Sequence, residues 1–534
     1  MGFTPGQQQL QQAAPGLGSH YIGGIGDWLR YHAGYRPQSE ALVYHDDRVT
    51  YAELDRRVNL AADVLAGKGV SQGSRVCLLM INSPAFIETF FACAKLGAIA
   101  VPLNFRLSAQ ELEFIINDAQ ASVIVYHARF LPLLEPIRDA TTLQHALAVN
   151  GEGGQGAEGD PDYRESLAAA DATDRNLLVG QDDPLMMMYT SGTTGKPKGA
   201  VLTHANPTWV AINTQMSPLA LNTSDSTLTV APLFHIGGLA IYTLPMLYCG
   251  GRIVLQAQFE PENLLKTLEK ERITTLFLLP AMWLMLSQRP DFDDYDLSAL
   301  KVLLSGGAPC PITVIELFQK RGFQFLEGFG MTETCASACF LDNENAVRKN
   351  GSVGKPLIHV QMRIVDVNDN DVAPGDTGEL VLRGPSMFRE YWNRPDATAE
   401  EWRNGWFHSG DLARQDEEGF YYIVDRKKDM LISGGENVYP TQVEQVLYRH
   451  PKVRDVAVIG VPDEKWGEVP MALVVPKEGE EPTLEEIQTY CNEHLARFKV
   501  PKHLTVLEEL PRTATGKVLK RALRRQYGRS PEQE

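Results

Sequence analysis

The chain has 534 residues, of which 44% are hydrophobic and 22% are charged, and its formal net charge at pH 7 is −17. Because a single hydrophobic core usually stops growing at roughly 250–300 residues, we expect at least two domains. The acidic balance argues against nonspecific binding of nucleic acid, which depends on Lys and Arg side chains at phosphates.

Residues 1–19 are rich in Gln, Ala, Gly and Pro and have neither the basic nor the apolar region of a signal peptide. No segment approaches the roughly 18 apolar residues of a transmembrane helix. The seven cysteines include no C-x-x-C pair, which is typical of reduced, buried thiols. We therefore expect a disordered N-terminus and a cytoplasmic protein; peripheral contact with a membrane and a homodimer stay open.

Helix and strand signals alternate through the first part of the chain. Thr50 and Glu53 fit a capping box that starts a helix ending near Gly67. Further apolar patterns predict strands over residues 76–80, 98–101 and 122–126, helices over 85–95 and 109–118, and later strands over 228–231, 253–255, 275–279 and 302–305. This alternation favours parallel α/β layers.

The pattern changes to β-type near residue 360. Strands are predicted over residues 360–367, 379–382 and 419–424, and a further unit starts near Lys428, with strands over 456–460 and 472–475 and a helix over 484–495. The predicted fold class is therefore α/β. A large N-terminal domain of layered α/β subdomains plus a β-rich subdomain covers residues 20–427, and a small α+β domain covers residues 428–534.

A loop rich in glycine, hydroxyl residues and lysine occupies residues 189–199, with the sequence YTSGTTGKPKG. Glycine lets a backbone approach a phosphate closely, and bare N–H groups in such a loop form an anion-binding concavity. The spacing differs from the P-loop, which needs G-x-x-x-x-G-K-[ST]. The loop predicts a phosphate cradle, and a plain surface turn is the alternative.

Four more segments follow in order: EGFGMTET at 327–334, WFHSGDL at 406–412, DRKKDMLISGGENVYP at 425–440 and PRTATGK at 511–517. Together with the loop they resemble the motifs of the adenylate-forming superfamily of acyl-CoA synthetases, aryl-CoA ligases, luciferases and adenylation domains. The resemblance covers everything after about residue 20. With WNRP at 392–395 and PDEKWGE at 462–468, the set is most similar to bacterial fatty-acyl-CoA ligases.

The resemblance implies a reaction in two halves. A carboxylate attacks the α-phosphate of ATP and forms an acyl-adenylate with release of pyrophosphate. The C-terminal domain then rotates about a hinge near Lys428, and the thiol of coenzyme A displaces AMP. ATP, Mg²⁺ and coenzyme A are therefore the implied cofactors and co-substrates. The expected acid is a medium- or long-chain fatty acid; an aryl acid of the hydroxycinnamate or benzoate type, and delivery of the acyl group to a carrier protein, stay open.

The same resemblance implies catalytic roles for four residues. Lys517 is expected at the carboxylate and α-phosphate in the first half-reaction, because a compact ammonium can reach both. Thr190 is expected at the phosphates, and Glu333 is the expected Mg²⁺ ligand. His235 is expected where the acyl pocket meets the thiol tunnel. Relatives that activate amino acids carry an aspartate at this position, so His235 argues against an amino-acid substrate.

The resemblance also implies three binding surfaces: a nucleotide site, an acyl pocket and a coenzyme A site. In the nucleotide site, Phe329 is expected to stack on adenine, Thr332 to contact the α-phosphate and Asp411 to accept the ribose hydroxyls. The expected ATP and AMP site consists of Thr190, Ser191, Gly192, Thr193, Thr194, Gly195, Lys198, Gly307, Ala308, Pro309, Glu327, Gly328, Phe329, Gly330, Met331, Thr332, Asp411, Arg426, Lys428 and Lys517. The expected acyl pocket consists of His235, Gly237, Gly238, Gly306 and Gly330. The expected coenzyme A contacts are Gly434, Gly435 and Glu436.

Overall fold

The computed structural model describes residues 23–151, 154–190, 197–434, 436–512 and 518–528. The predicted disordered segment over residues 1–19 lies outside these ranges. Two compact units divide the chain. One comprises the described residues up to Gln361 together with Arg383–Glu400, and the other comprises Met362–Leu382 and the described residues from Glu401 onward. The mixed α/β class, with a larger N-terminal and a smaller C-terminal part, is confirmed.

The two sheets of the first unit are largely parallel. Among the described residues, the nine-stranded sheet has the order Lys355–Pro356, Cys339–Leu341, Gln324–Phe329, Val302–Gly306, Thr275–Leu278, Ser226–Thr229, Arg252–Leu255, Glu40–Tyr44 and Asp47–Thr50. The seven-stranded sheet has the order Glu390–Tyr391, Lys198–Thr203, Pro184–Thr190, Ile99–Pro102, Arg75–Leu79, Val123–His127 and His145–Val149. The strands predicted from the sequence for these two sheets are confirmed within two residues at each end.

Helices cover these sheets. The helices and helical turns of the first unit are Gly26–Tyr35, Tyr51–Gly67, Pro84–Leu96, Ala109–Ala119, Ala128–Phe130, Leu131–Leu134, Glu135–Ala140, Tyr163–Ala168, Ala205–Gln215, Ile236–Gly238, Leu239–Thr243, Leu244–Cys249, Pro261–Lys270, Pro280–Ser287, Phe292–Asp294, Ile312–Lys320, Thr332–Thr334 and Asn345–Arg348, followed by Pro395–Glu401. The Thr50 side chain accepts a hydrogen bond from the Glu53 backbone N–H, as the predicted helix start requires. Among residues the structure describes, no helix is both long and apolar enough to cross a membrane.

Helix Pro84–Leu96 lies in the core of the first unit, and all of its residues are buried. Its two charged side chains are paired. Lys95 Nζ lies 2.7 Å from Asp55 Oδ1, and Glu88 Oε1 lies 3.1 Å from the Arg164 guanidinium. Burying an unpaired charge is costly, so these partners allow a helix with two charges to occupy the core.

The second unit contains two smaller sheets. In the described part of this unit, one sheet has the order Gln361–Val365, Thr377–Arg383, Trp406–Gln415 and Trp402–Arg403, with Tyr421–Arg426 also paired to Trp406–Gln415. The other has the order Glu436–Val438, Leu431–Ser433, Gly467–Pro476 and Val453–Asp463, with His503–Val506 paired to Gly467–Pro476. Helices Pro440–Leu447, Leu484–His494 and Lys520–Tyr527 and the turn Arg497–Lys499 complete it.

The β-rich segment beginning at Met362 groups with the C-terminal residues rather than with the N-terminal layers. Within this unit, the Thr441 backbone N–H donates to Asp425 Oδ2 at 2.8 Å and thereby links helix Pro440–Leu447 to strand Tyr421–Arg426. The predicted domain boundary between residues 427 and 428 is defined by a rotation of the C-terminal domain about Lys428. This boundary stays a prediction.

Candidate active site

The phosphate loop predicted from the sequence is supported by an antiparallel hairpin. Strands Pro184–Thr190 and Lys198–Thr203 pair so that Thr190 lies opposite Lys198. Five predicted phosphate-binding residues, Ser191, Gly192, Thr193, Thr194 and Gly195, lie outside the described residues. The structure therefore defines the base of the loop, where the predicted residues Thr190 and Lys198 are neighbours across the two strands.

Lys198 and Glu333 meet at one tyrosine. Lys198 Nζ lies 4.9 Å from the centroid of the Tyr391 ring, a distance suited to a cation–π contact. The Tyr391 hydroxyl donates a hydrogen bond to Glu333 Oε1 at 2.9 Å. All three side chains are buried. Two residues predicted from separate motifs are thus brought together by Tyr391, which the sequence analysis missed, although it directly precedes the WNRP segment.

Asp118 ties the loop hairpin to that same segment. Its carboxylate accepts a hydrogen bond from the Tyr189 hydroxyl at 2.8 Å, and its backbone carbonyl accepts one from Trp392 Nε1 at 3.1 Å. The Arg394 guanidinium pairs with the same carboxylate. Asp118 lies near the C-terminal end of helix Ala109–Ala119, remote in sequence from its partners, and no local signal marks it.

The predicted adenine strip lies at the carboxyl ends of two neighbouring parallel strands. Val302–Gly306 and Gln324–Phe329 pair in a register that sets Gly306 beside Gly328. Ligands of open α/β sheets bind at this edge of the strands. Gly307 follows with φ = +85°, a left-handed conformation that favours glycine, and Ala308 and Pro309 come next. The structure therefore brings these predicted residues together at one sheet edge.

Glu327 is the titratable group of this strip. Its Oε2 accepts a hydrogen bond from the Cys310 backbone N–H at 3.0 Å, and its Oε1 has no hydrogen-bond partner within the described part of the chain. Burial raises the pKa of Glu327 to about 7, because the charged carboxylate is cut off from water. The strip therefore holds a carboxyl group that titrates near neutral pH.

The turn after the strip is tightly packed. A Cβ atom on Gly330 would lie 1.9 Å from the Ala336 carbonyl oxygen, so only glycine fits there. Met331 follows, and Thr332 begins the short helix Thr332–Thr334, which also carries Glu333. Gly330 thus has a packing reason for its identity, and its predicted contact with the acyl group stays a prediction.

Two of the predicted acyl-pocket residues, Gly237 and Gly306, lie beside Phe277. A Cβ atom on Gly237 would lie 3.6 Å from the Phe277 ring, an ordinary contact, whereas one on Gly238 would lie 2.3 Å from the Pro232 carbonyl oxygen. A Cβ atom on Gly306 would also contact the Phe277 ring, at 3.4 Å. Phe277 was missed by the sequence analysis because, in a short apolar strand, it is typical of a core residue.

His235 starts the helical segment beside this pocket. Its Nδ1 accepts the Gly237 backbone N–H at 3.4 Å, so it caps the turn Ile236–Gly238. A π-helical turn, Leu239–Thr243, follows directly. Between this segment and strand Ser226–Thr229 lies a cavity of ≈ 10 Å³, whose lining residues include Gly237, Gly238 and Phe277. Such a volume is close to that of a single water molecule.

In the second unit, the buried Asp411 pairs with the half-exposed Arg426. They lie opposite each other on strands Trp406–Gln415 and Tyr421–Arg426, and Arg426 Nε lies 2.6 Å from Asp411 Oδ1. Asp411 is only 2% exposed, and its backbone N–H donates to Ser409 Oγ at 3.1 Å. This arrangement orients a carboxylate with two acceptor oxygens, the group that the predicted ribose contact requires.

The remaining predicted residues of the second unit are only partly described. Lys428 follows Lys427, whose Nζ lies 3.0 Å from Glu379 Oε2. The Gly434 backbone N–H donates to the Trp466 carbonyl oxygen at 2.8 Å, and Glu436 is exposed. Gly435 and Lys517, a predicted coenzyme A contact and a predicted catalytic residue, lie outside the described residues.

Comparison with known proteins gives consistent results over nearly the whole chain. Residues 29–392 match the model of the AMP-binding enzyme family, and residues 442–517 match that of the AMP-binding enzyme C-terminal domain. A feruloyl-CoA synthase of Amycolatopsis sp is 41% identical over 505 residues, which are 95% of this chain and 99% of the relative. The long-chain-fatty-acid–CoA ligase FadD13 of Mycobacterium tuberculosis is 38% identical over 94% of this chain and 98% of the relative.

A solved structure shows the same architecture. The o-succinylbenzoate coenzyme A synthetase (MenE) from Bacillus subtilis, in complex with ATP and magnesium ion, superposes with a TM-score of 0.83 at 32% identity, covering 93% of this chain and 99% of that chain. The likeness therefore extends across both compact units.

Proposed function

The chain belongs to the family of AMP-binding enzymes and is an AMP-forming acyl-CoA synthetase that uses ATP, Mg²⁺ and coenzyme A, and on this premise we propose that its acid carries an aromatic ring, as in the hydroxycinnamate or benzoate type. The observation that carries this proposal is the wall that Gly237, Gly306 and Phe277 form, in which the Phe277 ring lies against bare glycine backbone from two elements.

Flat surfaces suit a planar acid. Gly237 presents no side chain to the cavity, and the Phe277 ring lies within ordinary contact distance of the position where its Cβ would be. Aromatic rings gain from offset or edge-on contact with one another beyond the area they bury. A ring packed against this wall would therefore find one aromatic neighbour and one flat backbone surface.

Two of the similar proteins favour the same class of acid. Feruloyl-CoA synthase and o-succinylbenzoate coenzyme A synthetase, both named for acids with a ring, are among the similar proteins.

The phosphate side of the first unit supplies the groups for adenylation. Glu333 offers a hard carboxylate oxygen, and Mg²⁺ on substrate phosphates needs only one or two such protein ligands. When bound, the ion neutralises charge on the phosphates. Tyr391 fixes the orientation of the Glu333 carboxylate, and Lys198 contributes positive charge at the base of the phosphate loop.

The second unit supplies the ribose contact in this proposal. Asp411, held by Arg426, accepts the two ribose hydroxyls, and Lys517 enters in the adenylating arrangement to stabilise charge on the carboxylate and α-phosphate. Rotation near Lys428 then replaces Lys517 by the segment that contains Gly434 and Glu436, along which coenzyme A reaches the adenylate.

A medium- or long-chain fatty acid is the second candidate. The cavity also has aliphatic lining, from Leu228, Val230 and Ala231. FadD13, a long-chain-fatty-acid–CoA ligase, is only slightly less similar to this chain than the feruloyl-CoA synthase is.

Pyrophosphate release, measured with and without coenzyme A, separates these candidates. The panel contains benzoate, 4-hydroxycinnamate, octanoate, palmitate and phenylalanine. We expect kcat/KM for a ring acid to exceed that for either fatty acid at least about 10-fold, and thioester to form only with coenzyme A present. A preference for octanoate or palmitate would replace the proposal by the second candidate. Pyrophosphate release without transfer to coenzyme A would favour delivery to a carrier protein.

A further inference from the structure

Asp118 places a negative charge at the end of a helix where such a charge is unfavourable. It is the last residue but one of helix Ala109–Ala119, and its side chain is only 10% exposed. The C-terminal end of a helix carries partial negative charge and therefore repels a carboxylate, and burial disfavours the charge further. The partners of Asp118 must offset both effects, so they indicate what this side chain is needed for.

Those partners all belong to the hairpin of the phosphate loop or to the segment beside it. Asp118 Oδ2 accepts a hydrogen bond from the Tyr189 hydroxyl at 2.8 Å, and Oδ1 pairs with the Arg394 guanidinium. Burial and the hydrogen bond to Asp118 raise the pKa of Tyr189, so its hydroxyl keeps the proton that it donates. Both carboxylate oxygens of Asp118 are thus bonded to segments remote from its own helix.

Tyr189 lies at the start of the phosphate loop and contacts the strand that follows the loop. It directly precedes Thr190 and lies opposite Gly199 in the hairpin, and Thr190 lies opposite Lys198 in the next pair. A Cβ atom on Gly199 would lie only 3.1 Å from Tyr189 Cζ, so the Tyr189 ring packs against bare backbone. The hydrogen bond to Asp118 therefore fixes a ring that contacts both strands at the base of the loop.

The segment after Tyr391 flanks the other side of the strand that follows the loop. The Trp392 backbone N–H donates to the Gly199 carbonyl oxygen at 2.8 Å, and its indole Nε1 donates to the Asp118 carbonyl oxygen at 3.1 Å. The Arg75 guanidinium lies 5.5 Å from the centre of the Trp392 ring and donates to two carbonyl groups at the end of the same helix. The strand is therefore flanked on both sides by residues bonded to Asp118.

We propose that Asp118 is a positioning residue for ATP: it fixes the base of the phosphate loop, so that Thr190 and Lys198 lie where the β- and γ-phosphates bind. This inference rests on the proposed function, in which Lys198 contributes positive charge at the phosphates. Asp118 acts through Tyr189 and the segment after Tyr391 and does not itself touch the nucleotide. Because AMP lacks the β- and γ-phosphates, the inference predicts an effect on the binding of ATP and none on the binding of AMP.

A second cluster of the same chemistry provides a matched control. The Tyr126 hydroxyl donates to Asp160 Oδ2 at 2.6 Å, and Arg138 Nη1 donates to Oδ1 of the same carboxylate at 2.7 Å. Tyr126 belongs to the same seven-stranded sheet, and two strands separate its strand from Pro184–Thr190. Tyr126→Phe therefore removes the same kind of hydrogen bond at a distance from the loop.

The test measures the dissociation constants of ATP with Mg²⁺ and of AMP, without any acid, for wild type, Tyr189→Phe and Tyr126→Phe. We expect Tyr189→Phe to weaken ATP binding roughly 10-fold, because the groups at the loop base are displaced, and to keep the AMP constant within about twofold of wild type. Tyr126→Phe should change neither constant, although both variants lose a buried hydrogen bond and should melt at slightly lower temperature. Thioester formation from supplied acyl-adenylate should stay near wild type in both variants.

Three results would overturn the inference. The first is an unchanged ATP constant in Tyr189→Phe. The second is an equal weakening of ATP and AMP, which indicates a general disturbance of the nucleotide site. The third is a weakening of ATP binding in Tyr126→Phe as large as that in Tyr189→Phe, which indicates that loss of stability alone is responsible.

Asp118→Ala tests whether the two residues act through one contact. It should weaken ATP binding at least as much as Tyr189→Phe does. The double variant should bind ATP no more weakly than Asp118→Ala alone, because both substitutions break the same hydrogen bond. Losses that add up would show that Tyr189 acts independently of Asp118, and they would overturn the inference.

Lys198→Ala separates this inference from the proposed function. If Lys198→Ala weakens the binding of ATP but not of AMP, while Tyr189→Phe changes neither, the loop base binds phosphates and only the role of Asp118 is wrong. If Lys198→Ala also leaves ATP binding unchanged, the placement of the phosphates is wrong and the inference falls with it. The preference for ring acids over fatty acids is a separate measurement, which none of these results alters.

Discussion

The phosphate side of the first unit and its acyl cavity differ in how their buried polar groups are paired. At the phosphate side, Glu333 and Lys198 both contact Tyr391, so the charges are balanced within the protein. At the acyl cavity, a neutral hydroxyl on Tyr242 has no partner among the residues described. A buried charge without a partner costs far more than a buried hydroxyl does. A buried neutral hydroxyl can therefore remain without a partner at a lower cost in stability than a buried charge can.

The largest expected effect comes from the removal of Lys517, whose charge acts in the first half-reaction only. In Lys517→Ala, adenylate formation should fall by roughly 10³-fold, because the ammonium that stabilises the reacting oxygens is lost. Thioester formation from supplied acyl-adenylate and coenzyme A should be largely retained. Pyrophosphate release measures the first half-reaction, and AMP release from the adenylate measures the second.

Lys198→Ala is the variant with which Lys517→Ala is compared. Lys198 is a buried part of the Tyr391 cluster, so its removal should also lower the thermal stability of the protein. Equal loss of both half-reactions in Lys517→Ala would contradict the role assigned to that lysine.

Glu327 is an exception to the rule that buried charges are paired. The pH dependence of the free energy of unfolding should reveal this exception. The pKa of Glu327 is raised from 4.5 to about 7, so the folded protein binds a proton that the unfolded chain releases between these pH values. The stability from this neutral carboxyl is complete below about pH 4.5 and is lost as the pH rises through 7. The loss amounts to about 3 kcal/mol, at roughly 1.4 kcal/mol for each pKa unit.

Glu327→Gln should remove this dependence, because the amide keeps the shape of the neutral carboxyl and cannot ionise. Urea unfolding at pH 5 and pH 8 measures it: the variant should be more stable than wild type at pH 8, and the two should be similar at pH 5. Glu158→Gln, at an exposed site, is the control and should follow wild type at both values. If the free energy of unfolding of the wild type rose between pH 5 and pH 8 by more than that of the variant, the prediction of a buried neutral carboxyl would be contradicted.

Tyr391→Phe tests the paired side of the comparison directly. It removes the hydroxyl that bonds Glu333 and keeps the ring that Lys198 contacts. Outer-shell groups that orient a metal ligand typically contribute 10- to 100-fold to metal affinity or activity. We expect an approximately 10-fold rise in the Mg²⁺ concentration for half-maximal pyrophosphate release, with selectivity between acids unchanged. A shift in acid selectivity with normal Mg²⁺ dependence would place Tyr391 at the acyl cavity instead.

The sequence predicted the architecture well because local signals were sufficient for it. The helix after Thr50 has a capping residue and a regular apolar spacing, and the strand Thr275–Leu278 is a short apolar run between turns. Motif order similarly pointed to Lys198 and Glu333 as parts of one site, and the structure brings them to the same tyrosine.

What the sequence could not provide depends on contacts between distant residues. Tyr391 lies 58 positions from Glu333, and nothing in its surroundings indicates that its hydroxyl reaches a carboxylate. Phe277 and Tyr242 stand in apolar runs, where an aromatic residue is typical of a core. The π turn Leu239–Thr243 leaves no periodic trace, because every residue in it is buried. The acyl cavity was therefore the least predictable part of the site.

The smallest expected effect concerns two neighbouring glycines of the acyl cavity, Gly237 and Gly238. A Cβ atom on Gly237 meets its nearest neighbours at 3.6–3.7 Å, so Gly237→Ala fits without strain and narrows the cavity by one methyl group. One methyl group in a pocket changes selectivity by roughly 10-fold. We expect kcat/KM for ring acids to fall by about 5- to 10-fold, while KM for ATP and thermal stability stay near wild type.

Gly238→Ala should behave in the opposite way, because its Cβ would lie 2.3 Å from the Pro232 carbonyl oxygen, and the cost should appear as lost stability. Gly34→Ala, where nothing lies within 4 Å of the added methyl, is the control for both variants; it should leave selectivity unchanged and should not lower thermal stability, because Ala is favoured over Gly in a helix. If Gly237→Ala lowers thermal stability but leaves selectivity between ring acids and fatty acids as in wild type, Gly237 is a packing residue like Gly238. The acid would then have to bind along a different wall, and the contrast between a self-paired phosphate side and an acyl cavity shaped for its ligand would fail.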